Sequence, residues 1–375
     1  MNQPFHTTAG WEPRERPEAE ATAGHDPPAT TSEVLRTDTP QQFAEAVRRA
    51  ADCLRAGELV ALPTETVYGL AAPAGDASAV ARIFAAKGRP RHNPLIVHVA
   101  SVAMARSCTT RWTALAGRLA RAFWPGPLTL VLPTSRRIAA PVTAGGGTVA
   151  VRWPAHPVIQ AVIRACGFPL AAPSANRANA VSPTTAEHVR DDLGPAVSLI
   201  LDGGPCAVGI ESTVLDLTGS APAILRPGMI TAEALGAVLG ALPVSAAATP
   251  GTAPLRSPGR LPRHYAPRTP LHLLAWRDKA DLRRQLRARG LAPGRCHVIA
   301  HTRLPDPPGF AGVDAIPQGP EAFARALYAA LHRADRLGAA ALVVERPPAT
   351  PAWHAIADRL ERAATRTSCP ASGRR

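Results

Sequence analysis

The sequence predicts an α/β protein in two units, a larger one on a twisted mixed sheet and a smaller one on a short parallel sheet of Rossmann type. Three observations carry that prediction. Helical and strand-like segments interleave along most of the chain, in an order less regular than a strict βαβ repeat. A proline-rich stretch with scant periodicity at 241–270 separates residues 33–240 from residues 271–375. Residues 1–32, rich in Pro, Thr, Ala and Glu, have almost nothing to bury and read as a disordered extension.

The elements follow in order. Residues 40–56 place Phe43, Ala46, Val47, Ala50 and Leu54 on one helical face, with Gly57 as the stop. ELVALPTETVYGL reads as a strand, a turn and a second short element. SAVARIFAAK is helical and ends at Gly88, and the β-branched run PLIVHVA is a strand. A helix near 112–123, the strand LTLVLP, the glycine run 145–147 opening into TVAVRWP and a helix near 156–166 come next. The strand FPLAAPSAN, a helix near 184–193 and the strands SLILDGG, GIESTVLDLT and PAILRPG complete the larger unit. Beyond the linker, LHLLAW, CHVIAH and AALVVE are strands, with helices at 278–289 and 320–336 between them. That unit has no GxGxxG, so the pattern does not point to nucleotide binding there.

With 375 residues, 46% hydrophobic and 19% charged, the chain has the composition of a soluble globular protein of two domains. Its net charge of +14 is uneven, because residues 259–375 hold 20 Lys/Arg against 9 Asp/Glu. A basic tail suits an RNA or nucleotide partner; arginine-rich codon usage produces the same bias. The six cysteines are scattered without a CxxC, which argues against a zinc ribbon or redox pair and for a reducing compartment. No apolar run approaches the length of a membrane span, and no secretory signal is evident, so the expected location is the cytoplasm.

The chemistry-bearing residues fall at the ends of predicted strands, where open α/β sheets place ligands. Thr64-Glu65-Thr66 reads as a turn or as ligand-facing hydroxyls. Lys87-Gly88-Arg89, with Asn93 and His98, reads as a helix C-terminus complemented by cations or as two cations turned toward one anion. Lys87 is one of only two lysines among forty-two basic residues, which favours a position that wants a compact ammonium. His98 is equally compatible with a buried core position. Arg152 ends an apolar strand and has the fork that clamps a carboxylate. Ser174, Asn176 and Ser182, then Glu211-Ser212-Thr213 and Arg226, add hydroxyl, amide and cationic groups. There is no Ser/His/Asp set, HExxH or GxxxxGK[ST], so hydrolase, zinc and P-loop chemistries lose ground. A pocket rich in Lys, Arg, Ser, Thr and Asn suits phosphoryl or nucleotidyl transfer, which needs chiefly positioning and electrostatics.

The motifs PTETVYGL, KGRPRHNPLIVH, WPGPLTLVL, VAVRWP, APSANRANAVSPT, GIESTVLDLT and ILRPG occur in that order over about residues 40–235. Together they resemble the YrdC/Sua5 family of L-threonylcarbamoyladenylate synthases. SPGRLPRHYAP at 257–267 and the second unit resemble the longer, two-domain Sua5 type, although Pro262 before RHYAP departs from that family's pattern. The resemblance implies a YrdC-like twisted sheet with a positively charged concave face and a C-terminal Sua5 domain. It also implies that L-threonine, bicarbonate (or CO2) and ATP give threonylcarbamoyl-AMP and pyrophosphate. A partner transferase then modifies N6 of adenosine 37 in tRNA.

Carried onto this sequence, the resemblance implies that Thr66, His98, Arg152, Ser212 and the main chain at Ala172 hold L-threonine. It puts Lys87, Arg89, Asn93, Ser174, Asn176, Ser182 and Arg226 on the ATP side, with Thr148. Lys87 and Arg89 would stabilise charge at the α-phosphorus, and Arg263, His264 and Tyr265 of the linker would reach toward the nucleotide. Mg2+ is expected to travel with ATP, with no organic cofactor and no metal held by the protein alone. Two other readings are a carbamoyl-transfer protein of hydrogenase maturation, whose acylphosphatase and zinc-finger modules are missing here, and a non-catalytic tRNA- or dsRNA-binding protein using the same basic face.

Overall fold

The computed structural model describes residues 32–240, 245–246 and 264–365. The predicted extension apart from Ser32, most of the predicted linker including Arg263, and Cys369 lie outside the described residues.

The larger unit runs β1 (Glu33–Arg36), α1 (Pro40–Arg55), β2 (Val60–Leu62), β3 (Gly69–Pro73), α2 (Ala77–Lys87), β4 (Ile96–His98), α3 (Val102–Ser107) and α4 (Ala114–Phe123). It continues through β5 (Leu128–Pro133), β6 (Thr148–Arg152), α5 (Pro157–Cys166), β7 (Leu170–Ala171), α6 (Ala186–Leu193), β8 (Leu199–Asp202), β9 (Thr213–Asp216), β10 (Ala223–Arg226) and α7 (Ala232–Leu239). With β11 (Ser245–Ala246), these strands make one eleven-stranded sheet in the order β1-β8-β2-β3-β7-β4-β6-β5-β9-β10-β11. Parallel pairs such as β4 with β6 and β5 with β9 alternate with antiparallel ones such as β5 with β6, so the sheet is mixed.

Local signals explain the helix limits. Thr39 caps α1 in a capping box with Gln42, and Ala46, Ala50, Ala51 and Leu54 turn inward. Asp76 accepts from the backbone N–H groups of Ser78 and Ala79 to start α2. Gly88, at φ 58°, ends that helix in a left-handed turn that a residue with a Cβ adopts only under strain. Helices cover both sheet faces. On one, α1 and α5 bury Leu54, Ile159 and Ile163 against Val60, Leu62 and Leu201. On the other, Val80, Ile83 and Leu119 pack on Leu70, Leu130 and Val151. Strands buried on both faces read as continuous apolar runs, which is why they are legible without alternation.

The smaller unit is β12 (Leu271–Leu274), α8 (Lys279–Ala288), β13 (Cys296–Ala300), β14 (Gly312–Ala315), α9 (Pro320–Arg336), β15 (Ala341–Glu345) and α10 (His354–Ala363). Its four strands are all parallel, in the order β12-β15-β13-β14. The two units share a core. Val67, Val181 and Ile210 of the first pack with Tyr265 and with Phe323, Leu327, Tyr328 and Ile356 of the second. Gly209 lies against α9, where a Cβ would sit 2.4 Å from the Ala324 carbonyl oxygen.

Six elements were not anticipated: β1, α3, α7, β11, β14 and α10. β1 is an edge strand of four residues, α3 has only six, and both fall below the length at which periodicity discriminates. The strand expected over FPLAAPSAN shrinks to Leu170–Ala171, because Pro169 and Pro173 bracket it and neither supplies an N–H. Among the described residues, no helix is long and apolar enough to cross a membrane.

Candidate active site

Strand ends converge on one cleft. Parallel pairing of β4 with β6 sets His98 beside Arg152 in register. The turn after β2 brings Thr64, Glu65 and Thr66 to the same wall, and Gly69 pairs across to Ser174. The residues preceding β9 supply Glu211 and Ser212, and Arg226 ends β10. His264 and Tyr265, at the end of the linker, close the cleft from the side of the smaller unit.

One wall is built around Arg152, which is 3% exposed. Its Nη1 donates to Thr66 Oγ1 at 2.9 Å, its Nε donates to the Gly126 carbonyl at 3.2 Å, and its Nη2 pairs with Glu65 Oε1 at 2.7 Å. A guanidinium has five N–H donors, so Arg152 remains able to take a carboxylate. Thr64 and Thr66 hydroxyls lie 2.8 Å apart, and Ser212 Oγ lies 2.8 Å from Thr129 Oγ1. Burial, then Arg152, pushes His98 down to about 3, so its imidazole is neutral. Its Nδ1 is buried without a partner.

The other wall is cationic. Lys87 Nζ donates to the carbonyls of Ser174, at 2.5 Å, and Asn176. Arg89 donates to the carbonyls of Asn93 at 3.0 Å and Pro94 at 2.9 Å. Arg226 donates to the Ser212 carbonyl and to Ser212 Oγ, both at 3.1 Å. Burial and then Arg89 drive Lys87 well below its ordinary value, and burial above all brings Arg89 to about 9. Such shifts mark cations desolvated beside one another, an arrangement that an anion relieves. Burial likewise holds His264 near 3, with Glu211 opposing and Arg89, Lys87 and Arg226 reinforcing. Among the described residues, the side-chain oxygens of Asn93 and Asn176, the Tyr265 hydroxyl and His264 Nδ1 also have no partner.

Of the residues singled out from the sequence, Thr66, Arg89, His98, Arg152, Ala172, Ser174, Ser212, Arg226 and Tyr265 line this cleft. Lys87, Asn93, Asn176 and Ser182 stand immediately behind its lining through the bonds to Ser174, Arg89 and Glu211. Thr148 is not among the residues that line this cleft. It begins β6, whose opposite end carries Arg152, and four steps of about 3.3 Å put the two roughly 13 Å apart. The sequence reading names Glu65 and Glu211 in their clusters but gives their carboxylates no role. Both are buried there, each tied to an arginine. Tyr328 and Arg359, which hold Glu211, carried no local signal at all.

The same carboxylates decide the fit of a metal. Glu65 is engaged by Arg152 and the Ala155 N–H, and Glu211 by Ser182, Tyr328 and Arg359. Among the described residues no group of three or more His, Cys, Asp or Glu side chains could hold a metal ion. Among the described residues the cleft's two carboxylates are thus already engaged by partners of their own.

Fold and site together define a two-unit α/β protein whose sheet ends form a cationic, anion-receiving cleft flanked by His264 and Tyr265. The family model Sua5–YciO–YrdC, described as "Telomere recombination", matches residues 52–228, and the threonylcarbamoyl-AMP synthase C-terminal domain matches residues 230–365. A threonylcarbamoyl-AMP synthase of Pyrococcus abyssi is 40% identical over 326 residues, covering 84% of this chain and 93% of that one. One of Bacillus subtilis is 47% identical over 238 residues, covering 63% and 67%. The crystal structure of P. abyssi Sua5 complexed with L-threonine superposes with a TM-score of 0.80 at 36% identity, covering 89% of this chain and 98% of that one. The chain belongs to the threonylcarbamoyl-AMP synthase family, in its two-domain Sua5 form. The curated relatives support a synthase and not the non-catalytic RNA-binding reading.

Proposed function

We propose that the chain makes L-threonylcarbamoyl-AMP and pyrophosphate from L-threonine, bicarbonate or CO2, and ATP. The observation that carries the reading is the pairing of two walls in one cleft, Arg152 with Thr66 and Ser212 facing the buried cations Arg89 and Arg226, with Lys87 immediately behind through its bond to Ser174. Arg152 takes the threonine carboxylate, with Thr66, Ser212 and the Ala172 main chain fixing the amino acid. Neutral His98 offers Nδ1 to it as a hydrogen-bond partner. Bicarbonate, where it is the source, first loses water on protonation to give CO2. The neutral amine adds to the carbon of CO2, and its proton passes to solvent. A carbamate oxygen then attacks the α-phosphorus as the bond to the β-phosphate bridging oxygen breaks and pyrophosphate leaves. Lys87, Arg89 and Arg226 meet the charge that moves onto the phosphoryl oxygens and pyrophosphate. Ser174, Asn93, Asn176 and Ser182 hold these groups or the nucleotide in place, and Tyr265 covers it. Mg2+ enters on the triphosphate and is assigned to no side chain.

The product is a reactive acyl-phosphate anhydride, which suits direct delivery to a transferase that modifies tRNA in the cytoplasm. The basic smaller unit is the surface we assign to any direct tRNA contact. Purified protein with ATP, L-threonine, bicarbonate and Mg2+ is expected to release pyrophosphate and a threonylcarbamoyl adenylate. Pyrophosphate release that ignores threonine, or tRNA binding without any adenylate, would overturn the reading.

A further inference from the structure

Glu211 poses a problem for a cleft that receives anions. It is a buried carboxylate in the lining, next to Ser212 and within the field of Arg226. Left unpaired, it would repel both a carboxylate and a triphosphate. Its partner comes from the other unit. Arg359 on α10, fully buried, donates from Nε to Glu211 Oε2 at 2.7 Å and from Nη2 to the Pro227 carbonyl at 2.9 Å. Asp358 takes Nη1 at 2.8 Å. Tyr328 of α9 donates its hydroxyl to the same Glu211 oxygen at 3.0 Å, and Ser182 donates to Oε1 at 2.6 Å. The Arg359 guanidinium also lies 5.1 Å from the ring centroid of Tyr265, which holds a left-handed backbone at φ 60°.

We propose that Arg359 is a positioning residue of the reaction: from the smaller unit it neutralises Glu211 behind the cleft wall and props Tyr265 over the nucleotide. The smaller unit is thereby part of the active site's electrostatics without touching substrate. A reversed balance of charge a few ångströms from the phosphates, at the effective dielectric of a buried site, is worth about 10²-fold in affinity. Burial pushes Glu211 up, and Arg359 and then Arg226 and Ser182 overcome it, holding the carboxyl at about 2. Without Arg359 the burial effect gains weight, and acid then neutralises Glu211 within the working range of pH.

The inference rests on the nucleotide-side assignment of Arg226 and Ser182. The experiment measures KM for ATP, KM for L-threonine and kcat between pH 6 and 8.5 for Arg359→Met, Glu211→Gln and the double variant. Arg359→Met is expected to raise KM for ATP about 10²-fold at pH 8, with the defect shrinking as pH falls. The double variant is expected to recover at least about tenfold of that loss, since residue 211 no longer carries a charge and Asp358 keeps Arg362 as its partner. A wild-type KM in Arg359→Met overturns the proposal, as does a pH-independent defect or a double variant no better than the single. If Arg359→Met does not fold, Glu211→Gln against the double variant still decides. The double variant should bind ATP no more than about tenfold more weakly than Glu211→Gln, the remainder being the lost support of Tyr265, and a gap near the full 10²-fold overturns the proposal. Arg226→Met in the same assay separates the two levels. An ATP KM that it leaves unchanged removes the nucleotide-side assignment, whereas an unchanged Arg359→Met removes only the role of Arg359.

Discussion

Replacing Lys87 by Met tests the cationic wall most directly, because Met keeps the length of the apolar stem and removes only the ammonium. Lys87 is 3% exposed and makes its hydrogen bonds to two carbonyls rather than to a carboxylate. A unit charge about 4 Å from a phosphoryl oxygen, at an effective dielectric near 20, contributes about 4 kcal/mol. Arg89 and Arg226 remain, so the loss is expected at about 10²–10³-fold in kcat/KM, the scale of one oxyanion-stabilising donor. Pyrophosphate release under saturating threonine measures it. The fold should survive. Loss of a desolvated charge offsets the cost of two carbonyls short of a donor, about 1–3 kcal/mol, and the melting temperature should move by only a few degrees.

The proton balance gives a second readout for the same variant. Burial and Arg89 put the folded-state pKa of Lys87 below its ordinary 10.5. Between those two values the unfolded chain binds more protons than the folded one, so the contribution of Lys87 to stability improves as pH rises across that window. Bound triphosphate favours the ammonium and returns the proton. At a pH within that window, calorimetry of ATP binding in buffers of different ionisation enthalpy should therefore show proton uptake by wild type and less by Lys87→Met. Wild-type turnover in the variant, or equal uptake by both, would refute the reasoning.

Arg152→Ala should raise KM for L-threonine by about 10–10²-fold, the worth of a charge-assisted carboxylate contact, while moving KM for ATP far less. It should also lower stability by about 3–5 kcal/mol, because Glu65 is left buried without its cation, and thermal unfolding checks that. Gly209→Ala should weaken the docking of the two units, since its Cβ would lie 2.4 Å from the Ala324 carbonyl oxygen and 2.5 Å from Arg325 Cα, on a backbone at φ +85°. Overpacking of this kind costs about 1–3 kcal/mol, and it should appear as earlier, separated unfolding of the smaller unit with weaker ATP binding. An unchanged melting curve would show that the α9 contact is not rigid.

Much of the fold is legible from short-range chemistry. Thr39, Asp76 and Gly88 mark helix ends by bonds or dihedrals within a few residues, so the sequence shows them. The strands Leu128–Pro133 and Thr148–Arg152 are legible because both faces are buried, which removes the need to find a polar side. β1 and β14, at four residues each, have too few positions for any period to stand out. The polar clusters at Thr66, Lys87, Arg152, Ser174 and Ser212 are legible as clusters, but not their arrangement. Thr148 shows the limit: it shares a strand with Arg152, yet it is not among the residues that line the cleft.

The sequence by itself determined the class of chain, the residue types of the site and the order in which motifs deliver them. Those properties reside in local bonding, composition and spacing. Only the tertiary structure decided that Arg152 is already paired with Glu65, that Lys87 is desolvated among carbonyls, and that Arg359 reaches Glu211 across 148 residues of chain. The reason is physical. A buried charge is stabilised by whatever lies within a few ångströms of it, and in a mixed sheet with a second unit docked on it those neighbours come from opposite ends of the chain.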